Sequence, residues 1–125
     1  MQAILEREDA LDAAFAALAN PTRRAILRRL SHGEASVNAL AEPFDMSLPA
    51  ISKHIKVLEE AGLIERRRVA QSRPCRLAPH SLDAVASWVD EQHDLWNDRF
   101  DRLDAQLQHD NEVSTTPPRK NEDQT

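Results

Sequence analysis

The sequence predicts a mainly α fold: a helix, a tight turn and a second helix, then a short two-stranded β-hairpin and a long C-terminal helix. Three observations predict it. Apolar residues recur at i, i+3, i+4 and i+7 through most of the chain up to Leu107, the period of amphipathic helices. The two glycines, Gly33 and Gly62, both fall where a helix should stop, in a chain otherwise rich in alanine, leucine, arginine and glutamate. The stretch that breaks the helical period, residues 63–77, carries five arginines around a polar turn.

Each element has its own signals. Residues 9–19 read as a first helix with Leu11, Phe15 and Leu18 on one stripe. Asn20 is a good N-cap and Pro21 a good first residue for a second helix, which runs to about residue 31 with Ile26, Leu27 and Leu30 inward. Gly33 suits its end. Ser36 caps a short third helix, 37–44, with Val37, Leu40, Ala41 and Phe44 apolar. Asp45-Met46-Ser47 makes a tight turn, and Ser47 caps a fourth helix with Pro49 in its first turn, running to residue 61 and Gly62. At 100° per residue, Leu48, Ile51, Ile55 and Leu58 cluster on one side of that helix, with Pro49, Ala50, Lys53, Lys56 and Val57 opposite. A buried stripe backed by small and basic residues suits a DNA groove.

Residues 63–69 and 73–77 are short strands joined by Ala70-Gln71-Ser72. A basic hairpin directly after a helix-turn-helix reads as a wing, so the fold expected is a winged helix-turn-helix. Pro79 starts a last helix that reaches about Leu107, with Val85, Val89, Trp96, Phe100, Leu103 and Leu107 on a stripe and Trp88 and Leu95 beside it. At 1.5 Å per residue this helix is about 40 Å long, more than the roughly 30 Å width of a small domain, and a second copy is the simplest cover for its stripe. The organisation expected is a flexible N-terminus over 1–8, one domain over 9–109 that binds DNA and dimerises, and a disordered polar tail over 110–125.

The net charge of −5 looks unsuited to nucleic acid, but the local field is what a groove meets. Residues 47–77 hold seven basic and three acidic side chains; residues 78–112 hold nine acidic and two basic ones. The lone Cys75 cannot form an internal disulfide, fits a reducing compartment, and is more at home as a small packed residue than as a redox sensor. No run of 18 apolar residues and no secretory pattern occur, so the chain is expected in the cytoplasm with no membrane partner. Enzyme signatures are absent as well. There is no phosphate-cradling glycine loop, HExxH, CxxC or nucleophile elbow, and Ser31, His32 and Glu34 together at a helix end suit capping. No catalytic residue and no cofactor are expected.

The stretch ALANPTRRAILRRLSHGEASVNALAEPFDMSLPAISKHIKVLEEAGLIERRR resembles the ArsR/SmtB-type winged helix-turn-helix transcriptional regulators. Its most specific parts are NPTRRAILRRL, SLPAISKHIKVLEEAGLI and the hairpin after them, and the resemblance extends over about residues 10–107. It implies a homodimer paired through the first and last helices, placing Leu11, Phe15, Leu18, Trp88, Trp96, Phe100, Leu103 and Leu107 at the interface. It also implies that the fourth helix reads double-stranded DNA through Ser47, Pro49, Ala50, Ser52, Lys53 and Lys56, with His54 on the flank. Ser47 and the first-turn amides suit a phosphate, Pro49 and Ala50 a thymine methyl, Ser52 and Lys53 base edges, and Lys56 a phosphate. The wing residues Arg66, Arg67, Arg68, Arg73 and Gln71 would follow the backbone or enter the minor groove. Leu48 stands where many relatives carry a polar residue.

The same resemblance raises metal sensing. One site of the family is a cysteine pair in the third helix, and SVNALAEP has no cysteine. Another uses two Asp/His or His/Glu pairs on the last helix; Asp90 and His93 have the i, i+3 spacing of one such pair, but His109 lacks the partner that would make the second. No metal is therefore expected. The function expected is a sequence-specific transcriptional regulator, a dimeric repressor acting by promoter occlusion, whose effector the sequence does not name. Two alternatives stand beside it: a winged-helix protein–protein module whose partner binds the long acidic helix, and a metal-responsive repressor with an atypical site on that helix.

Overall fold

Asn20 and Pro21 divide the first two helices as their chemistry dictates. In the computed structural model, which describes residues 2–114 (side-chain surroundings 5–110), α1 spans Gln2–Leu18 and α2 Pro21–Leu30. The Asn20 side chain accepts from the Arg23 N–H at 3.0 Å, and Pro21 occupies the first turn, where a missing N–H costs nothing. The orphan carbonyls at the end of α1 are met by arginines of α2. Arg23 donates from Nε to Ala17 O at 2.8 Å and from Nη2 to Ala16 O at 3.0 Å, and Arg24 Nη1 donates to Leu18 O at 2.7 Å. Cations there also complement the negative end of the helix dipole.

Ser36 caps α3 (Val37–Ala41) through Ala39 N–H, and Ser47 caps α4 (Leu48–Glu60) through Ala50 N–H. Gly62 follows α4 at φ +77, a conformation that a side chain rarely adopts. The strands β1 (Ile64–Arg66) and β2 (Cys75–Leu77) are antiparallel with Ile64 opposite Leu77, Glu65 opposite Arg76 and Arg66 opposite Cys75. Cys75 also exchanges both backbone hydrogen bonds with Ala35, a third strand-like contact that the sequence reading lacks. The last helix, α5, is Asp83–Ser114.

The core lies in the unit that ends at Ala86; Ser87 begins the second unit. Ile51, Ile55 and Leu58 of α4 are fully buried at its centre. Around them stand Ala14 and Ala17 of α1, Ile26 and Leu30 of α2, Leu40 of α3, and Leu63, Ile64 and Cys75 of the hairpin. This seats α4 by one stripe and leaves its other side open.

Several expectations change. α1 begins at Gln2, so residues 2–8 are helical where a flexible N-terminus was expected; among the described side chains of α1 the buried ones are Ala14 and Ala17, while Phe15 is exposed and Leu18 packs at the core's edge. α3 stops at Ala41, with Phe44 packing from the turn beyond. The strands are shorter than 63–69 and 73–77, because past Arg66 the hairpin continues only through Arg67 N to Pro74 O and the isolated Val69–Ser72 pair. The last helix starts at Asp83 instead of Pro79: Ala78 N–H still pairs with Leu63 O, and His80 sits at φ +58, which a right-handed helix cannot contain. It continues past Leu107 to Ser114, since no proline or glycine lies between Asp83 and Pro117. The rest of the expected tail, 115–125, lies outside the described residues.

Candidate nucleic-acid interface

The capped start of α4 sets the geometry of the interface. Burial of Ile51, Ile55 and Leu58 turns Pro49, Ser52, Lys53, Lys56 and Val57 outward, all exposed, with Ala50 half-buried between the two sides. Lys53 and Lys56 have no ion-pair partner among the described residues. The Ser47 hydroxyl oxygen accepts from Ala50 N–H at 3.2 Å, which leaves its own proton free to donate.

Leu48 departs from its assigned stripe. It is 46% exposed, because it is the first residue of α4 and its side chain, leaning toward the helix N-terminus, passes beyond the core. Met46 in the preceding turn is exposed as well, and Thr22 Oγ1 contacts its sulfur at 3.9 Å. The outward side of α4 therefore begins with an apolar edge.

His54 differs from the residues around it. It is half-buried, and Arg23 Nη1 lies 3.2 Å from its Nδ1. Burial, and then the Arg23 charge, hold its pKa below the ordinary 6.5, so the ring is neutral at neutral pH. Neither Arg23 nor this contact was found in the sequence reading, since 31 residues separate the pair and no local pattern joins them.

The wing arginines fall into different environments. Arg68 and Arg73 are exposed with no ion-pair partner among the described residues, and Gln71 is exposed at the turn. Arg67 Nη1 donates to Glu34 Oε2, from the loop between α2 and α3. Arg76 donates from Nε and Nη2 to Oε1 of Glu65, its cross-strand neighbour, at 3.0 and 2.8 Å. Arg66 is half-buried, and its Nε is buried with no hydrogen-bond partner among the described residues. Cys75 is fully buried, and burial pushes its thiol pKa up, which makes it a packed thiol and a poor nucleophile.

In the second unit, Trp88, Trp96, Phe100, Leu103 and Leu107 are all exposed, Trp96 and Phe100 by more than 60%. His93 faces Asn97, whose Nδ2 is 3.3 Å from its Nδ1. Among the described residues, no three His, Cys, Asp or Glu side chains are grouped to hold a metal ion, and no helix is long and apolar enough to cross a membrane.

Known proteins share this arrangement. The helix-turn-helix domain family matches residues 18–67. The transcriptional repressor SdpR of Bacillus subtilis is 38% identical over 75 residues, 60% of this chain and 83% of the repressor. A crystal structure of an ArsR family transcriptional regulator is 46% identical and superimposes with a TM-score of 0.66, over 70% of this chain and 97% of that one. The solution structure of a homodimeric winged helix-turn-helix DNA-binding domain from Mycobacterium bovis, a possible ArsR-family regulator, is 32% identical with a TM-score of 0.55, over 74% of this chain and 85% of that one.

Proposed function

The chain belongs to the ArsR/SmtB family of winged helix-turn-helix transcriptional regulators, and on that premise we propose that it is a homodimeric repressor that reads operator DNA with α4 and the wing and blocks transcription by occupying the promoter. The observation that carries this reading is the outward side of α4: two lysines with no ion-pair partner among the described residues, and small residues, behind a serine-capped helix start, held by the full burial of Ile51, Ile55 and Leu58. Lys53 is the candidate for base edges. Lys56, Arg68 and Arg73 are candidates for phosphate, and the α4 amides with Ser47 for a phosphate at the helix N-terminus. Pro49, Ala50 and the exposed Leu48 offer apolar contact to thymine methyls. The protein works where the chromosome is, in the cytoplasm, and binds without catalysing a reaction.

The test starts from random duplex DNA, from which the chain selects its operator. Affinity for the selected duplex should fall linearly with salt on logarithmic axes, as phosphate neutralisation requires. Lys53→Ala should lower discrimination between the selected and a scrambled duplex by about 1–3 kcal/mol per half-site, with an unchanged thermal melt. Full discrimination in that variant would mean that α4 approaches DNA by another side.

A further inference from the structure

We infer that Arg23 is a positioning residue for DNA binding: it fixes the His54 ring so that Nε2–H is presented as a neutral donor to the DNA backbone. The inference rests on the reading of α4 as the DNA-reading helix. Its physical basis is hydrogen-bond polarity. A guanidinium only donates, so the 3.2 Å contact from Arg23 Nη1 is a hydrogen bond only when His54 Nδ1 carries no proton. A neutral ring then holds its single proton on Nε2.

The anchor is rigid because all three nitrogens of the guanidinium are engaged. Nε and Nη2 bind the Ala17 and Ala16 carbonyls at the end of α1, and Nη1 binds His54. The Arg23 backbone N–H is itself held by the Asn20 side chain. His54 follows Lys53 on α4 and is half-buried, so the ring spans from the Arg23 anchor toward the flank of the proposed DNA-facing side. Arg23 therefore acts on DNA through His54 and touches none itself. The same guanidinium joins the end of α1 to the reading helix.

The two amide substitutions at position 54 separate the roles. His54→Asn keeps an acceptor at the δ position for Arg23 and removes the ε donor; His54→Gln keeps a donor at the ε position. Measured on the full chain with the selected and a scrambled duplex, His54→Asn should weaken binding to both by about tenfold or more, the size of a lost hydrogen bond to a charged acceptor. Its salt dependence should match that of the original chain, since a neutral donor releases no counterion. His54→Gln, which keeps the ε donor but loses the δ acceptor held by Arg23, should recover only part of that loss. Arg23→Gln should lose as much as His54→Asn, and the double variant Arg23→Gln/His54→Asn no more than either, with the His54 pKa moving toward 6.5 by NMR in Arg23→Gln.

Additive losses, or original affinity in His54→Asn, would overturn the inference. If Arg23→Gln fails to melt cooperatively, His54→Gln decides: binding at the original affinity without the δ contact to Arg23 would overturn the positioning role. Failure of the unsubstituted chain to bind any selected duplex would remove the functional reading first, an outcome visible before any variant is made.

Discussion

Glu34 holds Arg67 by an ion pair that a phosphate would have to displace. Both side chains are well exposed, so the pair itself adds little stability, but it neutralises one wing charge. Glu34→Gln should therefore tighten binding to every sequence alike and steepen the salt dependence by about one phosphate contact per protomer, two per dimer. An unchanged slope in salt titrations would show that Arg67 faces no phosphate. His54 carries a second residue-scale consequence. Its folded pKa lies below its unfolded one, so the unfolded chain takes the proton more readily and acid favours unfolding. The stability it secures is complete above pH 6.5 and is lost as pH falls from there through the folded pKa. Thermal melts against pH should fall less steeply below pH 6.5 in His54→Asn than in the original chain.

Among the elements, α4 is the one on which the others are built. Its buried stripe touches side chains from α1, α2, α3 and the hairpin, so a cavity there cannot be closed by the movement of one neighbour. Ile55→Ala should cost about 2–5 kcal/mol by denaturant titration. The junction of α1 and α2 is a more local device: Asn20→Ala removes the side-chain bond to Arg23 N–H and should cost about 1 kcal/mol. A cost several times larger would mean that the Arg23 and Arg24 caps on α1 collapse with it. The wing depends less on length than its sequence suggests. Three paired positions hold it beside the core, and Cys75 anchors it from below through Ala35, while the exposed Glu65–Arg76 ion pair adds little.

At the scale of the whole molecule, the second unit exposes Trp96, Phe100, Leu103 and Leu107 along one helix. Apolar surface of that extent in water is what a subunit interface covers. The chain should sediment near twice its 14.1 kDa mass at micromolar concentration, and Phe100→Asp should shift it toward the single-chain mass. Operator affinity should fall with it, because two half-sites held by one dimer are replaced by two independent, weaker contacts. A Phe100→Asp chain that remains dimeric would place the interface on other residues.

The sequence by itself determined the order of the elements, the caps Asn20, Ser36 and Ser47, and the side of α4 that turns outward. These are local properties: a cap needs a side chain within three residues, and a helix face follows from a period of 3.6. The exposed apolar stripe of α5 was legible for the same reason. Only the tertiary structure decided where the helices begin and end in context, and which charges are spent. Leu48 reads as core by period and projects past the core by position; Pro79 reads as a helix start, yet Ala78 is still bound to Leu63, just before the first strand. The Arg67–Glu34 and Arg23–His54 contacts join residues 33 and 31 apart. No period or spacing encodes such pairs, because packing of α1, α2, α4 and the hairpin around one core is what brings them within hydrogen-bond reach.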